Sequence, residues 1–271
     1  MRKETVNPAR HTAVTQKKTE MELPGEEIHL YFSFPEQISD PALLQRYQSL
    51  LTDDELTQMS RFYFARHRHQ FLITRALIRS CLSSYFEVEP AAWRFEKNGY
   101  GKPEISFPEQ AWPLRFNLSH CEGLIMCGIT RDYDIGVDAE DSHRATRAAF
   151  ESLTSYFSAN EIKALNQLPS EQQKQRFFDY WTLKESYIKA RGMGLAIPLD
   201  KFSFQFEADR LSGFELHPDL QDNAKDWQFW RMPIAERYRA AVAVNSCSDF
   251  TVSTFSLVPF QERESLSMTF L

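Results

Sequence analysis

The hydrophobic period of this chain changes from helical to extended and back, twice, and that alternation restricts the fold more than any other feature. After a polar N-terminus, IHLYFSF (28–34) alternates as a strand, and Asp40-Pro41 opens a helical stretch carrying Leu43, Leu44, Tyr47 and Leu51 on its apolar positions. RFYFARHRHQFLITRALIRSCLSSYF reads as a second, long helix. Strand-like runs follow in WRFEKN, LRFNLSH, GLIMCGIT and YDIGVDAE, each bounded by Gly, Pro, Asn or Asp. Helical periodicity returns from about 145 to 191, with Ser158 and Glu161 spaced as a capping box, and the last part alternates again in KFSFQFE, DWQFWRM and RAAVAV. The order predicts an α+β protein made of two α+β halves, although the halves share no obvious sequence repeat.

Composition narrows the class. The 271 residues are 42% apolar, enough for one large domain or two ordinary ones. A formal charge of −6 argues against nonspecific nucleic-acid binding as the main role, though it leaves room for a local basic patch. Cys81, Cys121, Cys127 and Cys247 are scattered without a C-x-x-C pair and read as reduced residues. The first 20 residues are polar, lack an apolar signal core and read as a disordered tail. No segment reaches the roughly 18 apolar residues of a membrane span. These features predict a cytoplasmic protein that binds neither membrane nor nucleic acid.

Three segments carry candidate chemistry. In WTLKESYIKARGMGL, positions four apart share a helix face, so Glu185 and Lys189 are neighbours, while Trp181, Lys184 and Ile188 form an overlapping buried stripe. A plain surface ion pair would give the same pattern. In DIGVDAED, Asp138 and Glu140 stand two apart on one strand face, where paired carboxylates call for a cation or a raised pKa. Oxygen ligands without histidine or cysteine suit Mg²⁺, with Glu185 as a third donor and Lys184 or Lys189 neutralising phosphate oxygens; a solvated strand end is the bland alternative. Third, residues 61–79 hold five arginines and no acid. Arg61, Arg68, Arg75 and Arg79 make a cationic stripe beside Phe64, Phe71, Ile78 and Leu82, a candidate anion site.

Taken in order, Gly101-Lys102-Pro103, Phe116-Asn117-Leu118-Ser119-His120, Gly136-Val137-Asp138-Ala139-Glu140, Trp181 to Lys189 and Gly192-Met193-Gly194-Leu195 resemble the motif set of the surfactin-type (Sfp-like) 4'-phosphopantetheinyl transferases. The resemblance covers most of residues 50–206. It implies Mg²⁺-dependent transfer of the 4'-phosphopantetheine arm of coenzyme A to a serine of an apo acyl or peptidyl carrier protein, with release of 3',5'-ADP. It also implies a monomeric pseudodimer of two similar α+β halves, with coenzyme A in the cleft between them. The expected division is a tail over 1–20, an N-terminal half over 21–133, a metal-bearing half over 134–260 and a C-terminal tail over 261–271.

Carried over residue by residue, the resemblance makes Asp138, Glu140 and Glu185 the metal ligands, and Glu185, directly or through water, the base for the incoming serine. Lys189, with Lys184, would meet the pyrophosphate, while Arg66, Lys102, Ser119 and His120 would bind the adenine end and its 3'-phosphate. Arg75 and Arg79 fit either that site or a structural role against acids of the other half, and His120 also fits an ordinary buried histidine. Two departures stand out. Ala139 offers the metal no side-chain oxygen, and Asp141 and His143 lie off the site because Asp141 points to the opposite strand face. Arg144, Arg147 and Phe150 are candidates for the carrier-protein surface. A noncatalytic coenzyme A or carrier-protein binding module is the alternative function, as is a Mg²⁺-dependent nucleotide pyrophosphohydrolase.

Overall fold

The structure is a computed structural model that describes residues 21–143, 152 and 154–271. The expected N-terminal tail and the expected carrier contacts Arg144, Arg147 and Phe150 therefore lie outside the described residues.

The first half runs β1 (Glu27–Ser33), α1 (Pro41–Gln48), α2 (Asp53–Ser60), α3 (Ala65–Tyr85), β2 (Arg94–Lys97), β3 (Pro103–Phe107), β4 (Leu114–Cys121) and β5 (Leu124–Arg131). The second runs β6 (Ile135–Asp141), α4 (Ala159–Gln167), α5 (Ser170–Arg191), β7 (Phe202–Glu207), β8 (Arg210–Leu216), β9 (Trp227–Ile234) and β10 (Tyr238–Asn245), and β11 (Thr251–Leu257) and β12 (Arg263–Ser265) follow. This is the mixed α+β, two-half architecture that the alternating periods predict. Local signals start the helices as expected: Asp40 accepts from Ala42 N at 2.9 Å, and Ser158 and Glu161 form a reciprocal capping box.

Strand alternation explains the layers. Ile28, Leu30 and Phe32 of β1 point into the same core as Ile135, Val137 and Ala139 of β6 and Ala240, Val242 and Val244 of β10. The opposite face of the first sheet, through Tyr31, Ile125, Cys127 and Ile129, packs under α3. The opposite face of the second, through Ala241 and Ala243, packs under α5. Two sheets thus lie face to face with a long helix outside each, and strands buried on both faces read as nearly continuous apolar runs. β4 ends the sheet ordered β12-β11-β1-β5-β4, and β6 ends the sheet ordered β6-β10-β9. These two edges meet at the seam between the halves.

Three expectations need correction. The stretch 61–86 is not one helix: α3 begins at Ala65, because Arg68 turns back to donate to the carbonyls of Phe62 and Tyr63. Arg61 is therefore outside the stripe. The chain also does not divide at 260. Strand β11 returns to pair in parallel with β1 of the first half, from Glu27 opposite Thr251 to Phe32 opposite Ser256. Nor is 261–271 a loose tail. Residues 263–265 form β12, Leu266, Met268 and Phe270 pack against the inter-sheet core, and Leu271 N donates to Arg231 O at 2.8 Å.

Candidate active site

Helix α5 crosses the outer face of β6, and one glycine sets their separation. A side chain at Gly136 would run into the carbonyl oxygen of Ser186 and lie 3.0 Å from Ala190 Cα, so only glycine allows this approach. The other residues of that strand face are then Asp138 and Glu140. The helix presents residues four apart to them. Trp181 Nε1 donates to Glu140 Oε1 at 3.2 Å, and Lys189 Nζ pairs with Asp138 Oδ1 at 2.6 Å. Glu185, one turn from each, completes a group of three carboxylates and one ammonium.

Burial and mutual repulsion shape their charge. Glu140 is pushed up to about 7, first by burial and then by Asp138, with Glu185 adding and the Trp181 hydrogen bond and Lys189 opposing. Glu185 is also pushed up to about 7 by burial and Asp138, against the pull of Lys189. The carboxylates are short of positive charge, as the strand spacing predicts.

The outward edge of β6 has no neighbouring strand to satisfy it, and side chains do so instead. Lys102 Nζ donates to Ile135 O at 3.4 Å and also to Ala190 O at 3.0 Å. Asn117 Oδ1 accepts from Val137 N at 2.9 Å, Lys189 Nζ donates to Val137 O at 3.3 Å, and Ser119 Oγ accepts from Ala139 N at 3.2 Å. Asn117 and Ser119 are two apart on β4, matching amides two apart on β6. The F-N-x-S-H segment is thus the stitch that joins the halves.

Asp138 tests whether this group suits a divalent cation. Its Oδ1 takes both Lys189 and the Ser119 hydroxyl at 2.9 Å, while its Oδ2 is buried without a hydrogen-bond partner. A buried carboxylate oxygen left bare is costly unless a cation meets it. Among the described residues no group of three or more His, Cys, Asp or Glu side chains is already drawn together closely enough to hold a metal ion. The donor set is nevertheless all oxygen and open on one side, which fits Mg²⁺ completed by water and substrate oxygens.

Beside the seam lies a cavity of about 670 Å³ whose lining includes Arg66, His67, His69, Arg75 and His120, with Glu36 and Glu122 as the acids. Although His120 is exposed, crowding by the surrounding protein holds its imidazole below the ordinary value, and Lys189 adds to that. Arg66 lies over the Phe64 ring at 5.0 Å, and its Nε donates to His67 Nε2 at 3.4 Å.

The structure brings Asp138, Glu140, Glu185 and Lys189 together and sets Arg66 and His120 around the neighbouring cavity. It places five other residues differently. Lys184 is fully buried, pairs with Glu161 at 2.8 Å and donates to Leu199 O and Phe202 O; no phosphate reaches it. Ser119 faces the carboxylates, its hydroxyl bonded to Asp138 Oδ1, Ala139 N and Lys189 Nζ. Lys102 spends its ammonium on the two carbonyls of the seam, and burial lowers its pKa. Arg75 and Arg79 pair with Glu55 of α2 in their own half, at 3.4 and 2.8 Å, and with no acid of the other half, while Arg75 also lines the cavity. Asp141 points away and pairs with Arg237, as strand alternation predicts. Sequence reasoning missed the roles of Asn117, Gly136 and Trp181, whose spacing from Ser119, Asp138 and Glu185 was the available signal.

Comparison with known proteins agrees with this geometry. A model of the 4'-phosphopantetheinyl transferase superfamily matches residues 134–243, and one of a 4'-phosphopantetheinyl transferase N-terminal domain matches residues 40–128. The 4'-phosphopantetheinyl transferase HetI of Nostoc sp. is 33% identical over 229 residues, spanning 84% of this chain and 92% of the relative. The 4'-phosphopantetheinyl transferase Sfp of Bacillus subtilis is 31% identical over 65% of this chain and 75% of its own. A phosphopantetheinyl transferase of Thraustochytrium sp. is 29% identical over 68% of this chain and 66% of its own.

Proposed function

The chain belongs to the 4'-phosphopantetheinyl transferase superfamily, and from that premise we propose that it moves the 4'-phosphopantetheine arm of coenzyme A onto a serine of an apo carrier protein with release of 3',5'-ADP. The serine oxygen bonds to the pantetheine-bearing phosphorus as the pyrophosphate P–O bond breaks. The serine proton leaves to a base, and the electron pair of the broken bond stays on 3',5'-ADP. Such a reaction depends mainly on positioning and charge neutralisation.

Asp138, Glu140 and Glu185 would hold Mg²⁺. Bound there, the cation would neutralise charge on the pyrophosphate. Lys189, half-buried beside the Asp138 carboxylate, would support the charge that develops on the same phosphates. Glu185 makes no side-chain hydrogen bond or ion pair among the described residues, so it is the carboxylate open to the serine hydroxyl, directly or through a water molecule. The cavity lined by His120 and Arg66, both from the first half, suits the adenine end and its 3'-phosphate.

The observation that carries this reading is the bare, buried Oδ2 of Asp138 beside two carboxylates pushed up to about 7. No disulfide forms among the described residues, which include all four cysteines, and this suits a reducing compartment such as the cytoplasm. No described helix is long and apolar enough to cross a membrane. Both halves come from one chain, which favours action as a monomer on a carrier protein. The test is to follow 3',5'-ADP by chromatography in mixtures of the protein, coenzyme A and an apo carrier. The proposal requires release that needs both the carrier and Mg²⁺; release without any carrier would point to hydrolysis instead.

A further inference from the structure

We propose that Arg239 is a further catalytic residue, whose guanidinium meets oxygens of the coenzyme A pyrophosphate from the side of β6 away from the seam. This inference deepens the transferase reading above and rests on it.

Antiparallel pairing sets Arg239 of β10 directly opposite Glu140 of β6. Residues so placed share a sheet face, with Cβ atoms about 5 Å apart. Strand alternation agrees: Ala240 turns into the core between the sheets, Ala241 packs under α5, and Arg239, two residues before Ala241, shares its face. Arg239 is half-buried, and its Nε is buried without a hydrogen-bond partner. Among the described residues from β6 to β10 it is the arginine without an acid. Arg176 pairs with Asp209, Arg191 with Asp222, Arg210 with Glu207, Arg231 with Asp179 and Arg237 with Asp141.

The charge of the site explains what such a cation is for. With a divalent cation bound, the three carboxylates and the Lys189 ammonium are balanced, and a pyrophosphate then brings negative charge that nothing else has met. Lys189 is already set against Asp138, and Lys184 against Glu161. Lys189 stands on the seam side of β6, where it also donates to Ser119 and Val137 O. Arg239 stands on the other side, on β10, so the two cations flank the carboxylates. A guanidinium presents a planar fork of donors matched to phosphate oxygens and stays charged throughout. Its pull counts most where charge develops as the pyrophosphate bond breaks.

Wild type, Arg239→Met and Arg239→Lys are compared in transfer to an apo carrier protein and, with no carrier present, in calorimetric titration of the protein with coenzyme A in Mg²⁺ buffer. Methionine keeps an unbranched stem without charge, and lysine keeps the charge without the fork. For Arg239→Met we expect kcat to fall by on the order of 10²-fold at an unchanged carrier KM. Coenzyme A should bind roughly 10-fold more weakly, the worth of one charged hydrogen bond. Arg239→Lys recovers part of both losses, a recovery that a packing role, met equally well by methionine, would not give. Lysine also serves, against wild type, if the methionine variant does not fold. Unchanged kcat and coenzyme A affinity in Arg239→Met would overturn the inference. So would a loss confined to carrier KM, which would assign the residue to an acid of the carrier protein. If wild type transfers nothing to any carrier, the transferase reading fails, and equal coenzyme A affinity of wild type and Arg239→Met would then overturn the pyrophosphate contact separately.

Discussion

Lys189 stands 2.6 Å from Oδ1 of Asp138, yet the other oxygen of that carboxylate is buried with no partner. One ammonium is thus set against one edge of a carboxylate whose second edge is left for another cation. The pairing explains how a helix and a strand can hold three acids close together, and substitutions that disturb its parts should have separable effects.

Replacing Lys189 by Met keeps the stem and removes the charge. We predict a loss of about 10²- to 10³-fold in kcat, the range typical of deleting one charge-stabilising donor. Arginine at 189 should recover only part of it, because a planar fork cannot take the place of a compact ammonium between Ser119, Asp138 and Val137 O. Steady-state kinetics on a carrier protein checks both.

Glu140 and Glu185 are each pushed up to about 7. Between their ordinary carboxylate value and about 7 the folded metal-free protein binds more protons than the unfolded chain, so its stability falls as pH rises through that window. Below it, both states are protonated and the effect is absent. Mg²⁺ competes with those protons and should bind more tightly as pH rises past about 7. Thermal melts across pH, with and without Mg²⁺, should show a decline in the metal-free protein that Mg²⁺ offsets. Glu140→Gln or Glu185→Gln should each flatten it.

Gly136→Ala forces a methyl group against the backbone of Ser186 and Ala190, which yields less readily than a side chain. A destabilisation of about 1–3 kcal/mol is expected from overpacking of this kind. Denaturant titration measures it. A weaker Mg²⁺ response should accompany the loss, because α5 must move away from Asp138.

Lys184→Met leaves Glu161 buried and uncompensated, an imbalance of about 3–5 kcal/mol when one partner of a buried pair is removed. Adding Glu161→Gln should restore part of the stability. The folded double variant should keep the wild-type KM for coenzyme A, since the Lys184 ammonium is buried among Glu161, two backbone carbonyls and the Phe202 ring.

Much of this site is legible in the amino-acid sequence. Period-two alternation locates β6 and puts Asp138 and Glu140 on one face, and the four-residue spacing of 181, 185 and 189 predicts the matching helix face. The same geometry groups Lys184 with Trp181 and Ile188 on the buried stripe, so its exclusion from the phosphate site follows from a visible pattern that its charge outweighs. Alternation along β4 puts Ser119 and His120 on opposite faces, a separation that the motif, which names them together, does not show. The return of β11 to β1 is not legible: parallel pairing between residues more than 200 positions apart leaves no local periodicity. Glu161 as the partner of Lys184 is hidden for the same reason, since its capping role is the only local signal it carries.

The central claim is that these carboxylates support group transfer to a carrier serine. Intact-mass spectrometry of a panel of apo carrier proteins, incubated with coenzyme A, Mg²⁺ and either wild type or Glu185→Gln, tests it most directly. Wild type should add one phosphopantetheine to a carrier, and Glu185→Gln should add none although that variant still binds coenzyme A. An equal gain with both proteins would contradict the role given to Glu185, and no gain on any carrier by a wild type that binds coenzyme A would contradict the transfer itself.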